Sequence, residues 1–260
     1  MTSKQRFLID MRFYGDETIF EPSSSMYIKI IQYFEMWTLK LRELGLHLTN
    51  FSHIYIDCRK RNSKSDSRDN LIVEQIRPIT DFYRYVDVTF GELPQNINEL
   101  LKAFNRIIYD SVWSVSDQSS ATKTILDEAN KYIRDNYDSY FAVYRKISSI
   151  QTTAEFLAQP GGIYPGGGKI FLKVTTSGKT TCKFFFDYTN FSNVYRFLGK
   201  IELKNSSLVI SPRADFLRQN PPVPKRLSIN LEPLLINNII EINETTIESL
   251  QSAFKRKSEL

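Results

Sequence analysis

The chain has 260 residues, of which 42% are hydrophobic and 24% charged, enough apolar material for one large domain or two small ones. A net charge of +5 and a pI of about 9.0 make it mildly basic, short of the charge density of a dedicated nucleic-acid binder. No window approaches the roughly 18 consecutive apolar residues of a membrane helix, and the apolar run after Lys4 and Arg6 is broken by Asp10 and Arg12, which is too polar for a signal peptide.

Arg6 to Tyr14 reads as a first strand ended by Gly15. Pro22-Ser23-Ser24-Ser25 supplies helix-start chemistry. Tyr27, Ile30, Phe34, Trp37, Leu41 and Leu44 then recur at three- and four-residue spacing up to Gly45, the pattern of an amphipathic helix. Ser52 to Asp57 reads as a second strand, Arg59 to Asn70 as a polar loop, and Phe82 to Phe90 as a third strand ended by Gly91. Asn96-Ile97-Asn98-Glu99 has capping-box spacing before a helix that reaches about Trp113. A further helix runs from Ser120 to about Tyr137, and a strand is expected over Tyr140–Ile147.

Beyond the glycine stretch the period changes from helical to alternating. Lys169–Thr176 and Lys179–Tyr188 read as one β-hairpin, and Tyr195–Lys204 with Ser207–Ser211 as another. Pro221 to Pro224 is stiff and extended, and Asn243–Lys257 is a closing helix with Ile247, Leu250 and Phe254 on one side. The expected fold class is α+β: an N-terminal mixed sheet with amphipathic helices over 1–157, a Gly-rich connector over 158–168, and a hairpin-rich region with a terminal helix over 169–260.

Gly161-Gly162-Ile163-Tyr164-Pro165-Gly166-Gly167-Gly168-Lys169 concentrates five of the ten glycines. A phosphate-binding loop needs a hydroxyl residue after Gly-Lys and a helix behind it. Here Ile170 follows Lys169, and the alternation beyond is that of a strand, so a connector or contact loop including Tyr164 is expected. His47 and His53 lie across a turn with no cysteine pair beside them, so no zinc site is expected. The two cysteines, Cys58 and Cys182, are far apart and fit a reduced cytoplasmic protein, with a single disulfide between them as the alternative.

Two carboxylate sets could carry chemistry. Asp10, Asp57 and Asp87 fall on three expected strands, an arrangement that can hold two metal ions. Asp187 followed by Glu202-Leu203-Lys204 resembles the PD-(D/E)xK nuclease pattern, although the proline before the first acid is absent. That resemblance implies a metal held by Asp187 and Glu202, with Lys204 assisting an attacking water. The densest positive run, Arg59-Lys60-Arg61 with Lys64 and Arg68, contains no aromatic residue for base stacking and reads as a solvated contact loop.

No catalytic motif stands out, and aromatics make up 13% of the chain, with 14 Tyr and 18 Phe. Tyrosine buries area at low entropy cost and suits protein contacts. Leu8-Ile9-Asp10-Met11-Arg12-Phe13-Tyr14-Gly15-Asp16-Glu17 and the aromatic helix after it resemble the immunity proteins of bacterial polymorphic toxin systems. The resemblance implies a cytoplasmic, non-enzymatic inhibitor that occludes one cognate protein and needs no cofactor or metal. The positive net charge leads to a partner whose contact surface is neutral or acidic, with nucleic acid less favoured. The alternatives are the metal-dependent nuclease and a structural subunit of a larger assembly.

Overall fold

The computed structural model describes residues 5–15, 24–60, 71–80, 82–90, 94, 96–161, 167–188, 191–204, 206–219 and 223–237. The fold is α+β, and the chain divides into two compact units, Met1–Tyr140 and Phe141–Leu260. The division falls after Tyr140, not at the glycine stretch.

In the first unit the expected opening strand is two strands. Gln5–Phe7 (β1) pairs antiparallel with His47–Thr49 (β3), and Asp10–Gly15 (β2) belongs to the main sheet. The break lies at Leu8, which is fully buried and whose amide donates to Leu46 O at 3.2 Å. His53–Lys60 (β4), Leu71–Thr80 (β5) and Tyr83–Phe90 (β6) complete a sheet of order β2-β4-β6-β5, with β2, β4 and β6 parallel and β5 antiparallel at the edge.

Three helices accompany this sheet. Ser25–Glu43 (α1) starts where Ser24 Oγ accepts the Tyr27 amide at 3.1 Å and ends before Gly45, which takes a φ of +79°. Ile97–Val115 (α2) is capped by Asn96, whose side chain accepts the Asn98 amide, and Ser120–Asp135 (α3) by Ser119, which accepts from Thr122. The apolar phase of the sheet strands meets these helices. Phe13 lies 5.4 Å from Phe34 of α1 and 5.3 Å from Phe104 of α2, ring centre to ring centre, while Ile54, Ile56, Cys58, Val86 and Val88 are fully buried.

One polar cluster ties the three helices together. Asn105 of α2 accepts the Tyr33 hydroxyl at 2.8 Å and the Trp37 indole N–H at 3.2 Å, both from α1, and donates to Asn130 Oδ1 of α3 at 2.6 Å. On the same face of α1, one turn beyond Trp37, the buried Lys40 ammonium sits 3.8 Å over the Tyr132 ring and 3.2 Å from Glu43.

The second unit opens with a four-stranded antiparallel meander of order β10-β9-β8-β7: Ala142–Ser148 (β7), Thr152–Pro160 (β8), Gly168–Thr176 (β9) and Lys179–Tyr188 (β10). The glycine stretch therefore joins two neighbouring strands of one sheet instead of linking two regions. Gly161 N–H donates to Gly167 O at 3.1 Å to close that connection. The second expected hairpin begins later than its alternation indicates. Phe191–Phe197 is a helix (α4), and only Lys200–Lys204 (β11) and Ser207–Ser211 (β12) pair. Ala214–Gln219 (α5), Leu227–Asn230 (β13) and Leu231–Asn237 (α6) complete the described part, with β13 against β12. Phe197 is the centre of this core, 5.3 Å from Phe186 and 5.8 Å from Phe216. The expected closing helix at Asn243–Lys257 lies outside the described residues. Among the described residues, no helix is long and apolar enough to cross a membrane.

Candidate functional site

Side chains alternate between the faces of a strand, and a one-residue phase decides which face each occupies. On β2, β4 and β6 one phase is apolar and meets the helices. The other phase reads Asp10-x-Arg12-x-Tyr14, His53-x-Tyr55-x-Asp57-x-Arg59 and Tyr83-x-Tyr85-x-Asp87-x-Thr89. Parallel pairing puts these residues into transverse rows on one face: Asp10, His53 and Tyr83; then Arg12, Tyr55 and Tyr85; then Tyr14, Asp57 and Asp87. Parallel strands ordinarily have both faces covered and read as continuous apolar runs. This sheet instead presents a polar, tyrosine-rich face.

Tyr55 is its hub. Only 8% of Tyr55 is exposed, with Tyr85 at 5.0 Å, Tyr83 at 5.1 Å and Tyr14 at 5.6 Å between ring centres. Tyr14 stacks on Tyr85 at 6.0 Å with 25° between planes, and 40% of it remains exposed. His53 adjoins Tyr83 at 4.8 Å. Burial pushes the Tyr55 hydroxyl well above its ordinary value, against the opposing pull of Arg12, so it stays protonated.

The charges on this face are paired within their own strands. Arg12 Nε contacts Asp10 Oδ2 at 2.5 Å, and its guanidinium lies 5.5 Å over the Tyr55 ring. Arg59 Nη2 contacts Asp57 Oδ2, also at 2.5 Å. Burial acts against the charge on Arg12, and the Asp10 carboxylate more than offsets it. Both arginine side chains are more than half exposed, so each pair contributes at most about 1 kcal/mol to stability. Their effect is to fix the guanidinium planes and to neutralise the face locally.

The carboxylate trio from the sequence is only partly assembled. Asp57 and Asp87 are direct register partners, whereas Asp10 lies two rows away beside His53. Among the described residues no group of three His, Cys, Asp or Glu side chains is placed to hold a metal ion. Asp187 and Glu202 are not on paired strands: Asp187 is opposite Lys169 in the four-stranded sheet, and Glu202 belongs to the three-stranded one. Glu202 lies between Lys200 at 3.1 Å and Lys204 at 3.6 Å, an ion cluster on an edge strand. The nuclease pattern therefore lacks the strand pairing that would bring its acids together.

Of the basic run, Arg59 ends up on the tyrosine face and Lys60 closes β4. Arg61, Lys64 and Arg68 lie outside the described residues, as does Tyr164. Ser52 Oγ lies 2.9 Å from His53 Nδ1, but that serine is only 2% exposed and no substrate can reach its hydroxyl. Cys58 is fully buried, and burial raises its thiol pKa far above the ordinary range, so it is no nucleophile. Burial raises the Cys182 thiol as well, with Lys173 pulling the other way.

Sequence reasoning missed Arg12, Tyr14, Tyr55, Tyr83 and Tyr85 as a group. Their signal was the polar-aromatic phase shared by three strands. What it lacked was the parallel register that stacks the phases side by side. Comparison with known protein families, with curated proteins and with solved structures returns no match.

Proposed function

We propose that this chain is a non-enzymatic inhibitor that occludes a cognate protein, in the manner of immunity proteins, and that the tyrosine face of the first unit is its contact surface. One observation carries the reading: four tyrosines from three parallel strands touch one another on a face where Arg12 and Arg59 are each paired with an aspartate. Tyrosine and arginine are the side chains over-represented at binding hot spots, and a ring already held by its neighbours loses little entropy on contact.

The whole chain carries +5, but on β2, β4 and β6 this face has three aspartates to two arginines, and Arg77 of β5 is the register partner of Tyr85. A neutral partner surface fits it best. Stacked rings also suit single-stranded nucleic acid, but Arg12 and Arg59, the cations that would meet its phosphates, are already paired with Asp10 and Asp57.

The test compares wild type with Tyr14→Ala/Tyr85→Ala and with the control Phe184→Ser, each purified from native cells and checked for fold by circular dichroism. A stoichiometric protein partner, inhibited by wild type and weakened at least tenfold by the double tyrosine variant alone, is the expected result. Equal retention of the partner by all three forms would refute the contact surface. Salt-sensitive binding of a single-stranded oligonucleotide, lost in the tyrosine variant, would replace the protein partner with nucleic acid.

A further inference from the structure

The amino-terminal ends of the parallel strands carry a second surface that shares none of the tyrosine-face residues. Leu8 turns inward and is fully buried, and it leaves Phe7 and Ile9 on either side 59% and 37% exposed. Phe82, just before β6, is 49% exposed. The backbone holds these residues together: the Ile9 amide donates to Ser52 O at 2.7 Å, and the Ser52 amide donates to Phe82 O at 3.1 Å. Phe7 also lies against the His47 ring at 3.9 Å. Large apolar side chains held in the open by a fixed backbone mark a contact surface.

Among the described residues two arginines stand beside them. The Arg6 guanidinium lies 4.4 Å over the Phe82 ring, and its Nε is buried without a hydrogen-bond acceptor among the described residues. Arg42 reaches over from the end of α1 and donates to Ile9 O at 3.2 Å. The carboxylates next to Ile9 and Arg42 in the chain are engaged elsewhere: Asp10 by Arg12 at 2.5 Å and Glu43 by Lys40 at 3.2 Å. An apolar patch with a cation flat on one of its rings is complementary to a segment that offers apolar side chains and a carboxylate.

We propose that Arg6, Phe7, Ile9 and Phe82 form a docking surface for an acidic, apolar segment of a protein partner. An anionic membrane offers similar chemistry, but lipid-binding clusters carry on the order of four to eight basic residues, and the described residues of this patch include two arginines.

The isotopically labelled full chain is titrated with a short synthetic peptide alternating Glu with Leu and Phe, and with its Lys-for-Glu counterpart. It is also tested against phosphatidylcholine vesicles with and without phosphatidylserine. The acidic peptide should shift the amide resonances of Phe7, Ile9 and Phe82. Its affinity should fall roughly tenfold in Arg6→Glu, the size of a lost or reversed close charge pair, and less in Arg6→Lys, which keeps the charge and tests the site if Arg6→Glu does not fold. Equal binding of the two peptides, shifts mapping elsewhere, or binding to phosphatidylserine vesicles without peptide binding would each overturn the proposal. Because the two surfaces share no residue, failure here and failure at the tyrosine face are separate results.

Discussion

Asn105 is the residue whose removal tests the helical layer most directly. Its amide satisfies two donors, on Tyr33 and Trp37, and donates to Asn130, so one side chain links three helices. Trp37 is fully buried and Tyr33 is 4% exposed, so neither donor can turn to bulk water when the acceptor is removed. Each hydrogen bond is worth about 0.5–1.5 kcal/mol net, and a stranded buried donor loses about 1–3 kcal/mol. Asn105→Ala should therefore destabilise the first unit by about 3 kcal/mol, or lower the melting temperature by about 10 °C at roughly 3 °C per kcal/mol. Urea unfolding followed by tryptophan fluorescence reads this unit specifically, since Trp37 and Trp113 both belong to it. The expected signature is a lower midpoint at unchanged slope. Tyr33→Phe should couple with Asn105→Ala, because each removes the same hydrogen bond. A loss below about 0.5 kcal/mol for Asn105→Ala, or strict additivity of the two variants, would refute this account of the network.

Gly168 tests the closing of the glycine stretch. A Cβ there would lie 2.3 Å from the Gln159 carbonyl oxygen and 2.6 Å from the Tyr188 hydroxyl, so Gly168→Ala should destabilise by about 1–3 kcal/mol in a thermal melt, and an unchanged melt would show that the strands do not approach so closely. His53 sets a pH dependence. Burial lowers its pKa from 6.5 despite the attraction of Asp10, with Arg12 adding to the depression. The unfolded chain therefore takes up this proton more readily than the folded one. The contribution of His53 is complete above about pH 6.5 and is lost as the pH falls through the folded value. Melting temperatures of wild type and His53→Phe between about pH 5 and 7.5 should diverge on acidification, with the steeper decline in wild type; parallel profiles would remove His53 as the cause.

Local pattern was sufficient for the three long helices. Ser24, Asn96 and Ser119 are caps that act through neighbouring residues, and the apolar spacing of α1, α2 and α3 survives into the buried faces. The α+β class and the β9–β10 hairpin were legible for the same reason, since alternation and a tight Ser177-Gly178 turn are local. Strands that depend on their neighbours were not. In β8 the inward positions are Ala154, Phe156 and Ala158, and alanine, glutamate and glutamine are weak strand formers. Pairing with β7 and β9 on both sides is what extends that segment. In β5, Pro78 argues against a strand, and the sheet accommodates it at an edge, where a missing amide donor breaks no central ladder. The candidate site divides in the same way. Asp10, Asp57 and Asp87 were visible as strand residues, but a phase of two says only that each shares a face with its own strand-mates. Which strands are adjacent, in which direction and at which register is decided by the crossover through α1 and by burial of the apolar phase beneath the helices. That long-range choice placed Asp57 beside Asp87, kept Asp10 apart, put Asp187 and Glu202 in different sheets, and gathered four tyrosines separated by up to 71 positions in the chain onto one face.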